Sequence, residues 1–202
     1  MLQPTTAPVF HKIHDAFHKN TNNQHIVPAD TSKCAIYFIR NPLDVAVSFA
    51  HHNKASIDTA IENMCNPSFS FCNQQTGISY QFRQKLMDWS SHVNSWTNQQ
   101  QIPCLTLKYE DMLNDSLNTF GKSVNFVGLR YNLQQIKQAI GNSSFNNLKL
   151  QEEKEGFNEK QPLAGSFFRK GIAGDWKNAL GKQQIDKIIK HHGEAMEKFG
   201  YL

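Results

Sequence analysis

Six residues, Ala35-Ile36-Tyr37-Phe38-Ile39-Arg40, form a short apolar run that ends in a cation. A strand buried on both faces of a parallel sheet reads this way, because it has no solvent side on which polar residues would alternate. Asn41-Pro42-Leu43-Asp44 follows at once. Asn is a good N-cap, Pro suits the first helical position, and an acid belongs in the first turn. A helix therefore starts here and runs through Val45, Ala46, Ser48 and Phe49 toward His52. This strand-to-helix step constrains the fold more than any other segment.

The rest of the chain repeats the alternation. Phe82, Leu86, Trp89, Val93 and Trp96 recur at steps of four, three, four and three, which predicts a helix over about 79–98. Pro103 then precedes Cys104-Leu105-Thr106-Leu107-Lys108-Tyr109, a second strand ending at Glu110-Asp111. A further helix carries Leu117, Phe120, Val124 and Val127 and stops at Gly128. The last, about 182–199, places Ile185, Ile188, Ile189, His192, Met196 and Phe199 on one side. Strands alternating with helices predict an α/β domain around a parallel sheet. No repeat and no Pro- or Gly/Ser-rich linker divides residues 1–202, so one domain is expected. Only two strands are persuasive, few for a free-standing doubly wound sheet.

Composition narrows the function classes. Hydrophobic residues at 39% and charged residues at 19% are globular values. Asn and Gln fill 35 positions, scattered singly and in pairs, which reads as solvated surface. No apolar run approaches the roughly 18 residues of a membrane span. A net charge of +4 without a Lys/Arg block gives little support to nucleic-acid binding but allows a basic pocket for a small anion. The opening Met-Leu-Gln-Pro-Thr-Thr lacks a signal-peptide pattern, and Cys34, Cys65, Cys72 and Cys104 have no metal spacing. Reduced thiols, Cys34 and Cys104 buried among them, and a cytoplasmic address are expected, with the sequons at Asn114 and Asn142 chance matches.

Three segments carry chemistry. At the first, a helix N-terminus offers unpaired N–H groups to phosphate, and Arg40 adds a fixed guanidinium fork. Ser48, two turns into the helix, has a hydroxyl for the same anion, and ligands of open α/β sheets collect at such strand ends. An Arg snorkelling beside an ordinary cap would give the same pattern. The second is Phe167-Phe168-Arg169-Lys170-Gly171-Ile172-Ala173-Gly174-Asp175-Trp176-Lys177, where adjacent cations and glycines make either an anion-seeking loop or a solvated basic turn. In the third, Lys12-Ile13-His14, the histidine can serve as general base and the lysine can steady negative charge. A separate reading takes His11, His14 and His18, spaced three and four apart, with Asp15, as zinc ligands on one helix face.

Together, in this order, the segments resemble the cytosolic-type sulfotransferases, which use 3′-phosphoadenosine 5′-phosphosulfate (PAPS). Strand-Arg40-Asn41-Pro42 through Ser48 resembles their 3′-phosphate-binding segment. Arg169-Lys170-Gly171-x-x-Gly174-Asp175-Trp176-Lys177 is similar to their cofactor-closing loop, and Lys12-Ile13-His14 to their Lys-Thr-His. Tyr109-Glu110-Asp111-Met112 matches their Tyr-Glu-Asp-Met, and Ser143-Ser144-Phe145 resembles their adenine clamp. His92-Val93 and Trp96 fit their long central helix.

The resemblance implies a P-loop-like sulfotransferase fold, a central parallel sheet flanked by helices. It also implies sulfuryl transfer from PAPS to a small-molecule hydroxyl or amine. His14 would take the acceptor proton while Lys12 holds the transferring group. Arg40, Ser48, Arg169, Lys170 and Gly171 would grip the 3′-phosphate, and Tyr109, Ser143 and Phe145 would surround the adenine; no metal is called for. The family's first strand and its Lys-Ser-Gly-Thr-Thr-like phosphosulfate loop are missing, with only thirteen residues before His14. A truncated chain with little activity is therefore expected, the alternative being a non-catalytic adenosine 3′-phosphate-binding or scaffold protein. By analogy, 53–77, with Phe69 and Phe71, would line the acceptor side. The family's C-terminal dimer pattern is not evident near Lys177-Asn178-Ala179-Leu180-Gly181, so no oligomeric state is assigned.

Overall fold

The computed structural model describes residues 8–73, 82–159 and 166–202. β1 (Ala35–Ile39) leads into α1 (Pro42–Asn53) and α2 (Ile57–Met64), and the short strands β2 (Ser70–Phe71) and β3 (Gln84–Lys85) precede α3 (Trp89–Thr97). β4 (Cys104–Lys108) is followed by α4 (Tyr109–Asn114), α5 (Ser116–Val127), α6 (Leu133–Asn142) and α7 (Phe145–Glu155). A four-residue helix, α8 (Trp176–Ala179), and the long α9 (Lys182–Lys198) complete the chain.

β1 and β4 pair in parallel, from Ala35 opposite Cys104 to Ile39 opposite Lys108. Their carboxyl ends therefore finish side by side, and Arg40-Asn41 meets Tyr109-Glu110. The Asn41 N–H donates to Glu110 Oε1 at 3.0 Å, and the Tyr201 hydroxyl donates to Glu110 Oε2 at 3.1 Å. Asn41 caps α1 as its sequence requires, accepting from the Leu43 N–H at 2.9 Å. The core lies among Leu43, Ala46 and Val47 of α1, Ile61 and Met64 of α2, and Ile188 and Met196 of α9. α3 lies against the sheet, with Trp96 stacked on Tyr37 at a centroid distance of 6.0 Å.

Two expectations, the start of α3 and the burial of Cys34 and Cys104, are corrected. The predicted helix over 79–98 begins only at Trp89. Met87 sits at a left-handed φ of 61°, and Asp88 caps the helix by accepting from the Ser91 N–H at 2.9 Å. Gln84 and Lys85 are drawn instead into the antiparallel ladder with Ser70 and Phe71. Phe82 is consequently 95% exposed rather than part of an apolar stripe; residues 79–81 lie outside the described residues. In α5 the residues that bury are Thr119, Gly121 and Ser123, while Leu117, Phe120, Val124 and Val127 are only half-buried. The Thr119 and Ser123 hydroxyls donate to the carbonyls of Asp111 and Thr119, which satisfies them at a close helix contact. Cys34 and Cys104 are half-buried rather than buried. Among the described residues, no helix is long and apolar enough to cross a membrane.

Candidate active site

The carboxyl ends of β1 and β4 bring two of the expected residues into contact. The Arg40 guanidinium lies 4.3 Å from the centroid of the Tyr109 ring, a cation–π arrangement that orients the fork. One terminal nitrogen of Arg40 donates to the Ile172 carbonyl at 2.9 Å, which ties β1 to the 167–177 segment. Its Nε is buried and has no hydrogen-bond partner among the described residues. A buried guanidinium N–H without an acceptor is costly, and an incoming anion would supply one.

The 167–177 segment is held from behind by buried carboxylates. Asp44, in the first turn of α1, accepts from the backbone N–H of Gly174 at 2.6 Å and of Trp176 at 3.0 Å. Glu152 of α7 accepts from the N–H groups of Phe167 and Phe168 at 2.5 and 3.0 Å, and from the Ser166 hydroxyl at 3.0 Å. Gly171 adopts a φ of +64° directly beneath the Phe145 ring, and a Cβ there would run into that ring. Phe145 and Gly171, both expected at the nucleotide, thus share one contact.

Arg169 and Lys170 both turn inward to Asp175. Arg169 donates to Oδ2 at 2.6 Å and Lys170 to Oδ1 at 2.7 Å. The hydrogen bonds from Lys170 and then Arg169 hold the Asp175 carboxyl below the usual carboxylate range. Ser48 is half-buried, and its hydroxyl makes no hydrogen bond among the described residues. Ser143 ends α6 at an exposed position.

Lys12 and His14 lie on an irregular segment strapped down by α3. The His14 carbonyl accepts from His92 Nε2 at 3.0 Å. That bond requires Nε2 to carry the proton, so Nδ1 accepts from the Tyr37 hydroxyl at 2.9 Å. Trp96 Nε1 donates to the Asp15 carbonyl at 2.9 Å, and the Phe17 N–H donates to Ser95 Oγ at 2.9 Å. The His14 side chain remains at the surface. Partial covering of its imidazole, assisted by the Lys12 charge, lowers its pKa, with Glu159 and Asp15 opposing. The zinc arrangement fails here. Residues 8–18 contain no helix, so His11, His14 and His18 share no helix face, and His18 Nδ1 donates to the Ala16 carbonyl at 2.8 Å. Among the described residues no group of three His, Cys, Asp or Glu side chains is placed to hold a metal.

Four residues of this site were not singled out for it from sequence. Asp44 carries only the signal of a first-turn acid, and His92 only that of a helix position. Glu152 and Glu159 carry none, because each acts on residues distant in the chain or across a loop.

A parallel sheet with an anion-seeking helix N-terminus at its carboxyl edge, closed over by a basic glycine loop, is an α/β nucleotide-site architecture. Residues 16–200 match the sulfotransferase domain family, and the chain belongs to it. It is 24% identical over 178 residues to an amine sulfotransferase of Oryctolagus cuniculus, covering 81% of this chain and 54% of that protein. It is 28% identical over 179 residues to sulfotransferase 1E1 of Homo sapiens, covering 81% and 55%. The chain thus spans about half the length of these curated relatives. The same fold occurs in mouse sulfotransferase SULT7A1, solved in complex with PAP, at a TM-score of 0.60 and 22% identity over 80% of this chain and 58% of that one.

Proposed function

We propose that this chain carries the 3′-phosphate grip and the acceptor base of a PAPS-dependent sulfotransferase acting on a small-molecule hydroxyl or amine. The observation that carries the reading is the buried Arg40 Nε without a partner, beside Tyr109 and the 169–174 loop. PAPS supplies an activated sulfuryl group, and its product is adenosine 3′,5′-bisphosphate. Arg40, Ser48, Gly171 and the cations Arg169 and Lys170 hold the 3′-phosphate. Tyr109, Ser143 and Phe145 flank the adenine, the Phe145 ring offering a flat apolar face.

His14 takes the acceptor proton. Its lowered pKa keeps it in the neutral, proton-accepting form at pH 7. Lys12 places its ammonium where negative charge develops, a contribution of positioning and electrostatics. The aromatic group formed by Phe49, Phe69 and Phe71 supports an acceptor-facing wall in 53–73, residues 74–77 lying outside the described ones. We read residues 1–202 as one domain, and the four free cysteines fit a reducing, cytoplasmic location.

The test is sulfuryl transfer from labelled PAPS to a panel of phenols, steroid alcohols and amines, with a family-like N-terminal phosphosulfate segment joined ahead of residues 1–202. His14→Ala is expected to abolish transfer with bisphosphate affinity unchanged. Transfer that survives the substitution contradicts the assignment of the base. Nucleotide binding without transfer, even with a family-like phosphosulfate segment joined ahead of residues 1–202, would favour the non-catalytic reading.

A further inference from the structure

The ion pair between Lys12 and Glu159 joins positions 147 residues apart, with both Glu159 oxygens 2.6 Å from Nζ. Lys12 is 62% exposed and Glu159 32%. A pair that open to solvent adds little to stability, so folding does not account for it. Close by, Phe157 packs on Phe167 with ring centroids 4.4 Å apart. The Phe167 ring meets the His52 ring edge-on at 6.0 Å, and His52 lies 6.1 Å from Phe71. The neighbouring His51 Nε2 donates to the Ser166 carbonyl at 3.2 Å. Glu159 therefore stands near where the segment of the base, the end of α1 and Ser166-Phe167 come together.

We propose that Glu159 is a positioning residue of the transfer site, one carboxylate that aims Lys12 and sets the charge environment of both His14 and His52. The inference rests on the reading of Lys12 and His14 as the transfer pair. An ammonium has three donors, and two carboxylate oxygens occupy two of them, leaving one to point at an incoming anionic oxygen. The carboxylate also opposes the effect of burial on both rings. His14 is lowered by covering and by Lys12, and raised by Glu159 and Asp15. His52 is lowered by burial, raised by Glu159, and lowered again by the charges of His14 and His51. One carboxylate thus pairs with the lysine and bears on both histidines beside it.

Histidine C2–H resonances followed by NMR through pH, in the full chain, test this directly. Glu159→Gln is expected to lower the titration midpoints of both His14 and His52, Lys12→Gln to raise that of His14, and Glu159→Asp to restore the unaltered values. The urea midpoint and the affinity for adenosine 3′,5′-bisphosphate are expected to stay where they are in Glu159→Gln. In transfer assays, with a family-like phosphosulfate segment joined ahead of residues 1–202, the same variant is expected to lose kcat with KM for PAPS unchanged. Midpoints of His14 and His52 that do not move in Glu159→Gln overturn the positioning role and leave the transfer reading intact. Midpoints that move as expected, together with undiminished transfer in His14→Ala, overturn the reading of the base and the positioning role with it.

Discussion

Asp44 and Glu152 are only 2% and 6% exposed, and their oxygens hold the 166–176 segment, through backbone N–H groups and, for Glu152, also the Ser166 hydroxyl. Lys12 and His14, by contrast, lie at the surface on a segment held through backbone groups: the His14 carbonyl on His92, the Asp15 carbonyl on Trp96. The 166–176 side, proposed as the nucleotide grip, is thus held in place by buried charge. The base side has a fixed backbone and exposed side chains, Lys12 held only through its solvent-open pair with Glu159. Preorganisation suits a phosphate grip, whose work is orientation, while freer side chains suit a site that must adapt to an acceptor.

The largest expected effect breaks the rigid side. Asp44→Ala removes a buried carboxylate and strands the N–H groups of Gly174 and Trp176. A loss of about 4 kcal/mol in unfolding free energy is expected, read from urea titration, because bonds to charged groups are worth ~1.5–3 kcal/mol each. Bisphosphate affinity should fall with it. A loss below about 1 kcal/mol would show that the loop is anchored elsewhere.

Next comes the support beneath the base side. His192 of α9 is buried between Ser90, 2.9 Å from Nδ1, and Cys65, 3.7 Å from Nε2. Burial lowers its pKa to about 4 from 6.5. Between those two values the unfolded chain binds more protons than the folded one, so stability falls as pH drops from about 6.5 to about 4 and levels off below. A depression of that size amounts to about 3 kcal/mol. Because Ser90 belongs to α3, which straps the base segment, protonation loosens that side. His192→Gln is expected to flatten the profile; an unchanged slope would place the titrating group elsewhere.

Arg40→Ala sharpens the contrast by ligand. It should weaken adenosine 3′,5′-bisphosphate by about 2 kcal/mol, a typical charge-assisted contact, and leave AMP nearly unchanged. Equal losses for both nucleotides would move Arg40 away from the 3′-phosphate. The smallest effect belongs to the exposed Lys12–Glu159 pair: Lys12→Ala should alter stability by less than about 1 kcal/mol.

These differences also explain what sequence could and could not reveal. The β1-to-α1 step was legible because caps are local: Asn41 accepts from the Leu43 N–H of the helix it begins, and Pro42 takes the first helical position. The parallel partner of β1 was legible from the apolar run at Cys104–Lys108. The start of α3 was not, since the spacing of Phe82 and Leu86 continues the helical period that Met87 and Asp88 interrupt. The acid at Asp88 was a cap signal hidden inside a plausible stripe. The cross-chain partners of Asp44 and the roles of Glu152 and Glu159 depend on contacts between segments that fold together from far apart, and no spacing rule encodes them. Residue types foretold the cations of the 169–170 pair but not that both would rest on Asp175.

A rigid side built around Arg40 and the 166–176 segment should grip a 3′-phosphate. Isothermal calorimetry of the unaltered chain with adenosine 3′,5′-bisphosphate and with AMP measures it directly, since the two ligands differ by that one group. The bisphosphate is expected to bind at least about tenfold more tightly, ~1.4 kcal/mol or more. Equal affinity for the two nucleotides would contradict it.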